Sequence, residues 1–469
     1  MFSVFLLLAI LPVLAVSVWC GRRGMGATAF SLGGRKAGAG LVAGIISGSS
    51  IGGGATIGTA QMAYQYGLVA WCFTLGVGLG LLLLGRFFAR PLRESGLETV
   101  PQYLVQCYGP AAGPIVSLLS CLGIFFACSS SVLPGIGMTA AIFNISPTAA
   151  GLLLLILPLV YILIGGQKGA GISGIIKAAL LWSALLLAAL YAAHGLFFGT
   201  ATPADLPDHA WNLFASRGWF YPLSAVAATA MGMMTAQMYI QALYSARDAR
   251  AAERGAYLGA AIAIPVGLMS TLIGLYARAR HPELAATPLL ALPCVLMQDL
   301  PAWLGGLTLG TIILTLISSA AAQALAIGTM LSRDLGGALL HLRSEKWLLA
   351  LNRLGILLAL GAVTAYCLAH LGASVLTWNY LSMSLRGGGI LLPLLLAVLT
   401  RGRIADYIPR AWVLAAMLLP TALTLLSALL SDTPPAALPI LLSAVLLAAG
   451  ALCRRLGRQL SMKRQRGDL

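Results

Sequence analysis

Apolar runs about 20 residues long, separated by short polar or glycine-rich stretches, recur along the whole chain, and each is long enough to cross a bilayer as a helix. They lie at residues 2–20, 38–62, 66–87, 113–141, 148–166, 170–197, 218–244, 255–277, 302–331, 347–371, 376–399, 410–430 and 436–453. The pattern predicts an all-α polytopic membrane protein of about 13 transmembrane helices. Composition agrees, with 59% of 469 residues hydrophobic and 9% charged. The first run has no basic residue before it and Arg22 and Arg23 after it. It therefore reads as a retained leading helix with its N-terminus outside.

The net charge of +16 acts as a topology signal. With the N-terminus outside, most Lys and Arg fall in segments expected to be cytoplasmic, from Arg22 and Arg23 through Arg247, Arg250 and Arg254 to the tail RRLGRQLSMKRQRGDL. Only Arg217, Arg278 and Arg280 fall outside. The C-terminus is thus cytoplasmic, the expected location is the inner membrane, and the tail is suited to anionic lipid. No basic surface domain exists to bind nucleic acid. The eight cysteines are scattered without a CxxC pair, and the five histidines form no set with a nucleophile, so neither a metal centre nor an enzyme is expected.

One run is interrupted. IISGSSIGGGATIGTA, residues 45–60, concentrates serine and glycine in the middle of a span. Glycine lowers helix stability by about 1 kcal/mol relative to alanine, so Gly52, Gly53 and Gly54 invite unwinding. Unwound backbone is tolerated in a membrane only where protein or a water-filled cavity receives it, as in the discontinuous helices of secondary transporters. Close helix packing is the alternative reading of the same residues.

Two basic residues sit deep in spans, Lys177 and Arg386, while every Asp and Glu falls in a loop or near a span end. Arg386 lies near mid-bilayer in TWNYLSMSLRGGGILLPLLL, where a charge faces the bundle interior or water. Its planar fork suits a carboxylate, so a small organic anion is the first substrate expectation. The alternatives are that it caps freed carbonyls or reaches a gate. The freed backbone at Ser50, Gly52 and Gly53 and the amides of Gln61, Gln237 and Asn379 are further candidate substrate contacts, beside a packing or interfacial role.

Four stretches taken together, GGRKAGAGLVAGIISGSSIGGGATIGTAQMAYQYGL (33–68), ETVPQYLVQCYG (98–109), YILIGGQKGAGISG (161–174) and TLISSAAAQALAIGTMLSRDL (315–335), resemble the sodium:solute symporter family in order and spacing. The resemblance implies a leucine-transporter-type core of two inverted five-helix repeats, each with a broken first helix. The leading helix would be 1–30, the core 31–400 with repeats near 38–197 and 218–399, and two C-terminal helices with the basic tail 401–469. The second break would fall within ATAMGMMTAQ, Ala228 to Gln237. It implies a Na⁺ site from the carbonyls of Gly48, Ile51 and Thr315 and the hydroxyls of Ser318 and Ser319. Neutral oxygens suit a hard monovalent cation that must later be released. A small-residue packing face is the alternative for the two serines.

The chain departs from the family pattern at three places, one of them Gln241-Ala242, where many members carry Gln-Arg. Many members carry an acid after Ser173, where Gly174 stands, which puts a second Na⁺ in doubt. Lys177 stands where glutamine is usual. Its ammonium either snorkels to the surface or takes part in coupling by repelling or replacing Na⁺, which would make transport sodium-independent or proton-coupled. The expectation is a secondary transporter that carries a small organic solute, a carboxylate in chemical class, with Na⁺ by alternating access. The other readings are the carrier with Lys177 in place of the ion and a solute-sensing membrane module. The sequence is compatible with a monomer.

Overall fold

The interruption at residue 51 is a real break in the helix. In the computed structural model, which describes residues 27–199, 206–430 and 437–466 with 4–6, 8–10, 12, 15 and 16, helix α1 (Ala39–Ser50) stops at Ile51 (φ −89°, ψ 87°). A wide turn over Gly54–Gly58 then leads into α2 (Thr59–Tyr66). Hydroxyls rescue the carbonyls that the break frees: Thr56 Oγ1 donates to Gly52 O at 3.0 Å and Thr59 Oγ1 to Gly54 O at 2.8 Å. The three glycines serve close approach rather than an unusual backbone, since none has a positive φ. A Cβ on Gly53 would lie 2.4 Å from Ser130 O, and one on Gly54 would lie 2.2 Å from Asn379 Nδ2.

The remaining spans follow as α3 (Cys72–Leu83), α4 (Ala112–Phe143), α5 (Pro147–Phe198), α6 (Phe220–Thr235), α7 (Gln237–Ser245), α8 (Ala249–Arg280), α9 (Ala302–Met330), α10 (Glu345–Ala369), α11 (Val375–Leu399), α12 (Arg410–Leu430) and α13 (Ala437–Arg466). Among the described residues nine helices are long and apolar enough to cross a membrane, or ten if α6 and α7 count as one span bent by 48°. The two runs expected at 148–166 and 170–197 are the two helical arms of α5, which spans 52 residues with a kink between them. It turns at Gly166, whose φ of 55° and ψ of −164° only glycine adopts without strain. The leading run, 2–20, with Cys20, Arg22 and Arg23 near it, lies largely outside the described residues. Its described part packs on α9, where a Cβ on Gly310 would meet Leu6 O at 2.6 Å.

The break expected between Ala228 and Gln237 falls at Ala236 (φ −77°, ψ 120°), between α6 and α7. A negative φ needs no glycine, and Thr235 Oγ1 donates back to Met231 O and Gly232 O at 3.2 and 3.1 Å. At the end expected to face the cytoplasm, two of the quoted stretches meet. Thr99 and Ser117 donate to the Asp334 carboxylate at 2.8 and 3.1 Å, and Arg333 pairs with Glu98 at 2.8 Å. At the opposite end Tyr64 of α2 donates to His281 O at 2.8 Å. The His281 ring in turn lies between Glu283 at 3.0 Å and Asp299 at 2.8 Å.

Candidate functional site

Helices α1 and α5 cross where side chains are absent. A Cβ on Gly44 of α1 would lie 2.5 Å from Gly171 O, and one on Gly174 would lie 2.2 Å from Gly44 O, so the backbones of α1 and α5 touch. That contact excludes any side chain at 174. It also brings the next turn of α5 against the end of α1.

There Lys177, only 1% exposed, extends its ammonium into the junction. Nζ donates to Gly48 O at 2.9 Å and to Ser318 Oγ of α9 at 2.7 Å. Ser319 Oγ lies 3.1 Å from both Gly48 O and Ile51 O, and Ser318 Oγ lies 3.1 Å from Thr315 O. The five residues expected to hold Na⁺ therefore converge, with Lys177 among them. The snorkelling reading of Lys177 is corrected: the Gly44–Gly174 contact holds its Cα too close to α1, and the freed carbonyl of Gly48 captures the ammonium. For Na⁺ the fit is divided. The oxygens are neutral and suitable, yet two unit charges about 4 Å apart repel by about 4 kcal/mol at an effective dielectric of about 20.

One turn beyond, a cavity opens between α1, α3, α4, α6, α7, α9 and α11. Ser50, Gly52 and Asn379 line it, as expected from sequence. Ser130, Ser131, Gln323, Phe73, Tyr239 and three methionines, Met233, Met238 and Met383, complete most of the wall. Among the described residues no charged side chain lines it. Ser50 Oγ and Gln323 Oε1 are buried without a partner, a cost of about 1–3 kcal/mol each that a ligand or water would relieve. Gln323 was missed in the sequence, although it stands four residues after Ser319 and so on the same helical face.

Arg386 is fully enclosed, at 0% exposure, behind Met383. Its Nε and Nη2 donate to Ser382 O at 3.1 Å and Ser382 Oγ at 2.9 Å, Nη2 also meets Met383 Sδ at 3.3 Å, and Nη1 has no partner. Gly123 of α4 makes the room, since a Cβ there would lie 2.5 Å from Arg386 Cγ. Neither Lys177 nor Arg386 forms an ion pair among the described residues.

Besides Arg386, three expected substrate contacts do not line the cavity. Gln237 clamps the helix Val100–Tyr108 instead: Val100 N–H donates to its Oε1 at 2.9 Å, and its Nε2 donates to Glu98 O at 3.0 Å. Gln61 lies on α2 outside the lining, half-buried, with Oε1 unpartnered. Gly53 packs on α4 against Ser130 and Pro134. Gln241 joins Ser31 O and Thr329 Oγ1 at 2.6 and 3.2 Å.

Comparison with known proteins agrees with this architecture. A Na⁺-coupled sialic acid symporter, solved in a substrate-bound outward-open state, superposes with a TM-score of 0.79 over 97% of this chain and 98% of that one, at 14% identity. The high-affinity choline transporter 1 of Torpedo marmorata is 27% identical over 81% of this chain and 68% of its own length. Its counterpart in Drosophila melanogaster is 26% identical over 71% of this chain, and the match spans just over half, 56%, of that transporter's length. The family model of the sodium:solute symporters matches residues 30–402. This multi-pass membrane chain, with its leucine-transporter-type fold, belongs to the sodium:solute symporter family.

Proposed function

We propose that the protein is a secondary active transporter that moves a small organic anion, a carboxylate in the first instance, through the broken-helix core by alternating access. The observation that carries this reading is electrostatic. Two enclosed cations, Lys177 and Arg386, flank a cavity lined by neutral groups, and neither meets a carboxylate among the described residues. A buried charge is tolerated when a partner neutralises it, and an anionic solute would supply that partner. Ser50, Asn379 and Gln323 would then orient the solute's polar groups. Arg386 would meet the carboxylate through Nη1, once Met383 moves aside.

Family membership and the Na⁺-coupled neighbour support Na⁺ as the coupling ion, and the neutral oxygens of Gly48, Ile51, Thr315, Ser318 and Ser319 suit it. Lys177 brings a competing charge to the same oxygens. A second reading, a quaternary ammonium solute, is favoured by the aromatic rings of Phe73 and Tyr239 and the three methionines, and by the choline transporters among the relatives. It would place a further cation beside two that already lack counter-charge.

The test is the thermal stability of the purified protein with monocarboxylates, zwitterions, neutral solutes and choline, each in Na⁺ and in N-methyl-D-glucamine buffer. A ligand that binds only the folded state raises stability by RT ln(1 + [L]/Kd). A carboxylate should stabilise and then be taken up by proteoliposomes. Stabilisation by choline alone would replace the anion reading with the second one, and the absence of uptake for every stabilising ligand would sink the transporter reading.

A further inference from the structure

The junction of α1, α5 and α9 carries a second conclusion, which rests on the transporter reading only for its place in a cycle. We infer that the ammonium of Lys177 is itself the cation of this site, so that the protein binds no Na⁺ there and works without it.

The geometry is specific. An ammonium is a compact point charge with three donors, and it needs acceptors without competing positive charge nearby. Gly48 O is such an acceptor because the break at Ile51 removes its helical partner, and Ser318 Oγ is a second from the facing helix. These two atoms belong to the set that would coordinate an ion. Lys177 thus takes up ligands, instead of standing beside a complete ion shell.

The surroundings point the same way. Gly174, one turn before Lys177, is pressed on Gly44 O, so no carboxylate can grow from that position to offset an added cation. The neighbouring oxygens on α1 and α9, the carbonyls of Ile51 and Thr315 and the hydroxyl of Ser319, carry no charge. A bound Na⁺ would have to share Gly48 O and Ser318 Oγ with an ammonium already donating to both. The tethered cation also links three helices by its own bonds, which is the structural task a bound ion performs at such a junction.

Binding of radiolabelled Na⁺ to the purified, solute-free protein decides the matter. Wild type should show no saturable Na⁺ binding, and its stability should be equal in NaCl and in N-methyl-D-glucamine chloride. Lys177→Gln should raise Na⁺ affinity by about tenfold or more, and adding Ser318→Ala and Ser319→Ala should abolish the gain. If Lys177→Gln does not fold, Lys177→Met takes its place, and the wild-type measurement stands on its own. Saturable Na⁺ binding by wild type that Ser318→Ala removes would overturn the inference, as would a folded Lys177 variant that gains none. No solute enters these measurements. Failure of uptake would therefore count against the proposed transport alone, and Na⁺ binding by wild type against this inference alone.

Discussion

Lys177 and Arg386 are both enclosed in the core, on α5 and α11, and neither pairs with an acid among the described residues. Lys177 bonds outward, to α1 and α9, and its contacts tie three helices together. Arg386 bonds only to its own helix, through Ser382 and Met383, and keeps Nη1 without a partner. The difference separates two uses of a buried cation. One completes the protein's own polar network, and the other holds capacity in reserve beside a cavity. A group left with an unmet bond costs stability in the resting protein, so its retention is understandable where a ligand meets the need.

The widest separation should appear in transport. Arg386→Gln should lower uptake of the carboxylate by about 100-fold, on the order of 3 kcal/mol for a lost charge-assisted contact. Its melting temperature should stay level or rise, because an unpaired buried charge is gone. Equal uptake by this variant would erase the contrast. Gly123→Ala should cost about 2 kcal/mol, since its methyl group enters the space of the Arg386 stem. The double variant Gly123→Ala/Arg386→Met should recover much of that loss in chemical or thermal unfolding.

Lys177→Met should cost only about 1 kcal/mol, because Gly48 O keeps Ser319 and Ser318 keeps Thr315 O. A loss several times larger would mean that Lys177 is an architectural strut above all. The smallest effect is expected for Ser319→Ala, a few tenths to about 1 kcal/mol, since Lys177 still serves Gly48 O. Measured beside Lys177→Met, it tells how evenly the two share that carbonyl.

The break at Ile51 was legible because its glycines are consecutive and lie within an apolar run. Sequence offered two reasons for them, unwinding and close packing, and both hold: the helix breaks there, and the glycines are small so that Ser130, Ser131 and Asn379 can approach. The break at Ala236 was harder to place because its backbone is one that any residue adopts, and the hydroxyl that supports it belongs to an ordinary threonine. The Na⁺-type cradle came from resemblance, and its residues do converge. Where Lys177 points could not be read from sequence, since a flexible side chain can reach the surface or the core. What decides it is a glycine contact between helices far apart in the chain. Gln237 misled for a similar reason, as an amide near a break looks the same whether its partner is a solute or the backbone of Glu98 and Val100.

The bond from Tyr64 to the carbonyl of His281 has a mechanical meaning. It fastens the C-terminal end of α2, the second half of the broken helix, to the segment that runs from His281 to Asp299, so the two form a lever with its pivot at the unwound residues. A swing of α2 about that pivot either carries the segment along or breaks the Tyr64 bonds together with the packing around them. The phenol of Tyr64 is thus a polar catch within the packing that holds α2 to that segment and to α8.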